Sequence, residues 1–224
     1  MSIPTGSIIA IAMCLYNTVA IAQPLQLTQP SFIAQQSLQE EAEASYKQGD
    51  ELFQQGTAES LQAAIPYLEK AATLYEQIGI DVEQAAALFL LGRVYSDLGE
   101  NQKALEYHNQ ALPLYKAVGN RSGEAATLSN IGVVYSDLGE KQKALEYYNQ
   151  ALPLRRAVGD TSDDTLRDRR GEATTLSNIG VVYNALGENQ KALDYFNQAL
   201  PISQAVGNPT LEATILGNIR NLQQ

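Results

Sequence analysis

The sequence predicts an all-α chain built as a solenoid, four antiparallel helix hairpins stacked side by side and closed by one further helix. Three observations predict it. SDLGENQKALEYHNQALPLYKAVGN (96–120), SDLGEKQKALEYYNQALPLRRAVGD (136–160) and NALGENQKALDYFNQALPISQAVGN (184–208) are near-copies. Such units bury their apolar faces against neighbouring copies, which gives an extended core and puts function on a surface rather than in a deep pocket. Within a copy the apolar residues keep helical spacing: Leu128, Ile131, Val134, Tyr135 and Leu138 form one stripe, and Ala144, Leu145, Tyr148, Ala151 and Leu152 a second. The turn between them, Gly-Glu-Lys-Gln (139–142), is too short for any but antiparallel neighbours.

The first element is unlike the rest. No charged residue precedes Glu40, and Ile8 to Ala22 is an apolar run ending in Ala20-Ile21-Ala22, the small-x-small pattern that precedes a processing site. Residues 1–22 therefore resemble a signal peptide without basic residues at its start, and place the mature chain outside the cytoplasm, periplasmic or secreted. An uncleaved anchor and a buried N-terminal helix are the competing readings. The only cysteine, Cys14, lies in this run, so the mature chain has no disulfide to form. Met13 before it argues against lipidation. Residues 23–40, rich in glutamine, read as a linker.

The solenoid is expected over 41–224, with units at about 42–79, 83–119, 124–159 and 172–207 and a closing helix at 211–224. The first unit is divergent: Gly49, Leu52, Gly56, Ala64 and Ala71 occupy its key positions. Gly92 to Gly132 spans 40 residues and Gly132 to Gly180 spans 48, because TSDDTLRD (161–168) is inserted before the fourth unit. Glycine inside a helix is destabilising by roughly 0.5–1 kcal/mol against alanine. Its recurrence at 92, 132 and 180, opposite Ala104, Ala111, Ala144, Ala151, Ala192 and Ala199, marks close helix approach. Pro113, Pro153 and Pro201 fall inside the second helices, which must bend or end there.

The pattern carried by Leu128, Ile131, Gly132, Tyr135, Gly139, Ala144, Tyr148 and Ala151 resembles the tetratricopeptide repeat (TPR). The resemblance implies a right-handed superhelix with the first helix of each unit lining its concave side. The long period and the internal prolines resemble the kinesin-light-chain-like branch. The phrases ALPLRRAVGD and GEATTLSNIG are similar to cyanobacterial repeat proteins that carry a caspase-like CHAT domain.

Charge and composition exclude several functions. With 15 basic and 25 acidic side chains the net charge is −10, which argues against nucleic acid and anionic lipid as partners. Arg155, Arg156, Arg167, Arg169 and Arg170 interleave with Asp160, Asp163, Asp164 and Asp168. This is a solvated, self-compensating loop or a docking loop for an acidic partner. The one histidine, His108, has Tyr148 and Phe196 as counterparts, so its place is that of a packed ring. With one His and one Cys there is no catalytic residue and no metal cluster to assign, no cofactor is expected, and the chain reads as a non-enzyme.

By the resemblance, the groove is lined by Phe89, Leu90, Arg93, Asn130, Val133, Asp137, Asn178, Val181, Asn184 and Asn218. Asn130, Asn178 and Asn218 share one register, a ladder of amides able to grip an extended peptide backbone, or to bridge adjacent first helices. Phe89, Leu90 and Arg93 differ from their counterparts and are the candidates for selectivity. The expected function is a protein-interaction scaffold that binds an extended peptide or helix of a partner in the groove. It has no stable membrane insertion after signal removal, and self-association is open. The alternative is the recognition part of a split CHAT-type peptidase.

Overall fold

The computed structural model describes residues 29–159 and 165–224. The signal-like segment 1–22, with Cys14, and linker residues 23–28 lie outside the described residues, as does much of the inserted segment. The chain divides after Gln36, and Ser37–Gln224 forms one compact unit that carries the repeats. Among the described residues there are nine helices and no strand: α1 (Gln29–Gln55), α2 (Ala58–Ile78), α3 (Asp81–Asp97), α4 (Asn101–Ala117), α5 (Arg121–Asp137), α6 (Lys141–Gly159), α7 (Thr165–Ala185), α8 (Asn189–Ala205) and α9 (Pro209–Leu222). No helix among them is long and apolar enough to cross a membrane.

Local chemistry sets the breaks. Thr57 and Ser60 form a reciprocal capping box at the start of α2. Gly99 and Gly139 take the left-handed backbone conformation (φ 74° and 78°) that ends a first helix. The residue after each, Glu100 or Glu140, donates its N–H to Tyr95 O or Tyr135 O at 2.8 and 2.9 Å, so the chain reverses with its carbonyls satisfied.

Each helix from α2 onward packs on the next, and first helices also meet across hairpins, α3 with α5, α5 with α7 and α7 with α9. That is a two-layer helical solenoid, with odd-numbered helices inside. The glycines make it possible. A Cβ on Gly92 would stand 2.5 Å from the His108 ring, on Gly132 2.6 Å from Tyr148, and on Gly180 2.7 Å from Phe196. Ala104, Ala111, Ala144, Ala151, Ala192 and Ala199 are fully buried opposite them. Each pair of stripes is further joined by stacked rings, Tyr95 on Tyr107, Tyr135 on Tyr147 and Tyr183 on Tyr195, with centroids 5.3–5.5 Å apart.

Two sequence expectations are corrected. Residues 29–40 are not a linker: they are helical within α1, since from Ala34 to Glu40 the stretch is mostly Gln, Ala, Leu and Glu, good helix formers, and holds no glycine. The inserted segment is not all loop, because Thr165–Asp168 forms the first turn of α7, which has 21 residues against 17 in α5. Of the two alternatives left open at the prolines, bending or ending, the helices do not end: α4, α6 and α8 run on to Ala117, Gly159 and Ala205. Packing holds these last turns, where Tyr115, Arg155 and Ser203 are buried, against the loss of one backbone hydrogen bond each.

Candidate functional site

One side of the odd-numbered helices forms the inner face. α3 brings Phe89, Leu90 and Arg93 to it, and the same register of α5 brings Ser129, Asn130 and Val133. A cavity of about 360 Å³ opens there, bounded by Tyr46 and Asp50 of α1, Phe89, Leu90 and Arg93, Tyr115 of α4, Arg155 of α6 and Arg167 of α7. A second, of about 320 Å³, shares Phe89, Arg93, Arg155 and Arg167 and adds Asn130, Val133, Arg170, Thr174 and Asn178. A smaller one of about 170 Å³ lies between Arg93, Ser96, Asp97, Asn130 and Val133. The three share Arg93 and so follow one another along the face.

Phe89 is half-buried, tilted on His108 at 5.6 Å and edge-on to Tyr115 at 6.4 Å. Arg93 is exposed, with its guanidinium 4.5 Å above the centre of the Phe53 ring. Leu90 is only 4% exposed, so it is a core residue whose edge floors the first cavity. Burial pushes the Tyr115 phenol up to about 12, and burial followed by the Asp50 charge raises Tyr46. Both phenols are therefore neutral near pH 7.

Arg155 and Asp168 form the wall. Asp168 is wholly buried and Arg155 is 8% exposed. The Arg155 Nη1 donates to Asp168 Oδ1 at 3.0 Å, and the Ser122 hydroxyl donates to the same oxygen at 2.7 Å. Three helices, α5, α6 and α7, meet in this network. Burial draws the Arg155 guanidinium below its ordinary value, and the hydrogen bond to Asp168 opposes that. Arg155 Nε and Asp168 Oδ2 are buried without a hydrogen-bond partner. Here the self-compensating loop expected from sequence is corrected. The pair lies inside the protein, and Arg167 and Arg170 line the inner face.

The amide ladder is unequal. Asn130 borders the second and third cavities, whereas Asn178 borders the second and also lies near the Tyr148 hydroxyl, where its amide opposes the rise in pKa that burial causes. Adjacent first helices are bridged instead one residue earlier and three earlier, by the Ser129 and Thr175 hydroxyls at 3.1 Å. Asn218 is half-buried on α9. Asp137, Val181 and Asn184 are exposed toward the ends of α5 and α7 and do not border the cavities around the arginines.

Sequence reasoning missed Tyr46, Tyr115, Arg155, Arg167 and Arg170 as lining residues. One signal was present: Arg155 stands at the register of Tyr75 and Tyr115, a packing position rather than a loop position. Among the described residues no group of three or more His, Cys, Asp or Glu is placed to hold a metal. His108, fully buried with both ring nitrogens unpartnered, lies under Gly92 as a packed ring.

This array of hairpins is that of the tetratricopeptide repeat family, whose profile matches residues 57–117, 114–157 and 166–219; the chain belongs to it. No curated protein matches the sequence. Among solved structures it is similar to aspartyl phosphate phosphatase F from Bacillus subtilis, with 17% identity over 79% of this chain and 44% of that one and a TM-score of 0.69. A Rap protein complexed with Competence and Sporulation Factor matches at 21% identity over 81% and 48%, TM-score 0.66. The Rap conjugation gene regulator of a plasmid, in complex with a Phr peptide, matches at 19% over 82% and 50%, TM-score 0.65. At these identities the likeness is one of fold. The chain spans about half the length of these relatives.

Proposed function

We propose that this chain is a non-catalytic scaffold that holds an extended segment of a partner protein along the inner face of α3, α5 and α7. The observation that carries this reading is the run of contiguous cavities on that face, bordered on α3 by Phe89 and Arg93, which differ from their counterparts in the other copies, and on α5 and α7 by the repeated amides Asn130 and Asn178. That one fold relative is solved with a Phr peptide supports a peptide-sized occupant. In this reading Asn130 and Asn178 contact the peptide backbone, with Asn218, Asp137, Val181 and Asn184 extending the track toward α9, and Phe89 and Arg93 select side chains. A hydrogen bond contributes about 0.5–1.5 kcal/mol net, so the amides give grip and the side-chain cavities give affinity.

The apolar run Ile8–Ala22 supports a site of action outside the cytoplasm. The kinesin-light-chain-like reading rests on the repeat period and the internal prolines, the CHAT-associated one on sequence phrases, and neither adds a residue to the site. Cross-linking the chain in an envelope extract tests the proposal: partners retained by the parent are expected to be lost with Phe89→Ala and Asn130→Ala and kept with Gln102→Ala. Partners retained equally by all four proteins would refute it.

A further inference from the structure

We propose that the occupant of the inner face is an acidic segment, its carboxylates seated between Arg93, Arg167 and Arg170; this rests on the groove reading above and adds the chemistry of the partner. In a chain of net charge −10, the second cavity is bordered by four arginines and by no carboxylate.

The lysines show that this is a selective placement. Six of the seven form ion pairs with Glu at the described surface, and the seventh, Lys141, donates to Ser136 O. At the inner face, Arg155 alone has a carboxylate partner, Asp168. Among the described residues none of Arg93, Arg167 and Arg170 has a carboxylate within ion-pair distance. Three guanidinium groups without a carboxylate in ion-pair contact border one cavity and repel each other, the Asp50 and Asp97 carboxylates lying at the neighbouring two. A bound carboxylate relieves that repulsion and takes the two parallel N–H donors that arginine offers and lysine does not.

The negative charge of the rest of the chain does not cancel this attraction. Charges more than about 8 Å away are largely screened at physiological salt, while groups bordering a cavity are screened much less. The Asn130 and Asn178 amides beside the arginines suit a peptide backbone carrying those carboxylates.

The test is selection of peptides from a phage-displayed random nonapeptide library on the immobilised full chain, and on its Arg167→Gln/Arg170→Gln and Arg167→Glu/Arg170→Glu variants. Both positions are exposed, so the variants keep the fold, which circular dichroism verifies. The expected result is enrichment of Asp and Glu on the parent, loss of that enrichment on the Gln variant and enrichment of Lys and Arg on the Glu variant. A synthetic copy of a selected peptide should then bind about tenfold more weakly for each arginine removed, and more weakly as salt rises.

Selection of neutral or basic peptides by the parent overturns the acidic occupant. If those peptides still lose binding with Asn130→Ala/Asn178→Ala, the groove reading survives alone. If no peptide is selected by any variant, or binding ignores both sets of substitutions, both readings fall.

Discussion

Where α4 meets α5, Tyr115 lies over Gly123. Where α6 meets α7, one repeat on, Arg155 lies over Gly171. A Cβ on either glycine would approach the facing side chain to 2.5 or 2.6 Å, so the two junctions have the same backbone fit. Their chemistry differs. The first is an aromatic ring on a glycine, and the second is a buried ion pair whose acid, Asp168, comes from the extra turn that the insertion adds to α7. A flanking link survives in both, Lys116 to Glu124 at 3.8 Å and Arg156 to Glu172 at 2.8 Å, and again as Gln204 donating to Glu212 at 2.8 Å. The hairpin interiors stayed alike while the joins diverged, and the divergent join is the one that walls the arginine cavity.

The largest effect expected from breaking this comparison is at Asp168. Asp168→Ala leaves the Arg155 guanidinium buried without a counter-charge and should cost about 3–5 kcal/mol, read from urea unfolding followed by circular dichroism. The residue at the register of Asp168 in the preceding unit is Asn120. Arg155→Tyr combined with Asp168→Asn therefore rebuilds the α4–α5 junction and should recover most of the loss. A double variant no more stable than Asp168→Asn alone would show that the junctions are not equivalent.

The second comparison is between His108 and its counterparts Tyr148 and Phe196, each packed under a glycine of the facing helix. Burial, and then the Arg93 charge, pull the His108 imidazole down to about 4 from 6.5. Below pH 6.5 the unfolded chain binds a proton that the folded chain refuses. Stability is thus whole above that pH, declines as pH falls toward 4 and levels off below it, by about 3 kcal/mol in all. His108→Phe, shaped like Phe196, should remove that part of the acid sensitivity and leave the rest, which carboxylates carry. Parallel acid profiles for parent and variant would mean that the imidazole is hydrated or paired in solution.

Much of the fold is legible because packing writes itself into sequence at fixed spacing. Gly92, Gly132 and Gly180 stand opposite rings, and Gly99, Gly139 and Gly187 stand at the turns, at the same separation in each copy. The family resemblance put Asn130, Val133, Phe89 and Arg93 in the groove, and they border the second cavity. Asp168 was not legible, because its burial depends on a helical turn that the repeat does not contain and on a partner from α6 whose counterparts are not charged. Residues 29–40 were missed for the opposite reason: a glutamine-rich stretch has helical propensity without periodicity, so the pattern rules have nothing to read. Arg167 and Arg170 were seen as charges, but charge density in sequence does not tell which face of a helix carries it.

The smallest effect separates the two asparagines that sequence made equivalent. The Asn178 amide lies near the Tyr148 hydroxyl and opposes the rise in its pKa that burial causes, and Tyr148 is 1% exposed, so removing the amide takes a polar neighbour from a buried hydroxyl. Asn178→Ala should therefore cost about 0.5–1.5 kcal/mol of stability. Asn130→Ala should fall within about 0.5 kcal/mol of the parent, as for a surface substitution, because this amide borders two cavities and its register neighbour Ser129 already makes the bridge to α7. Thermal unfolding of the two variants side by side measures the difference. Equal losses would make both amides joints between helices and would leave the grip on a partner to the arginines and Phe89; a loss at Asn178 alone leaves Asn130 as the amide whose hydrogen-bonding capacity is open to a visiting backbone.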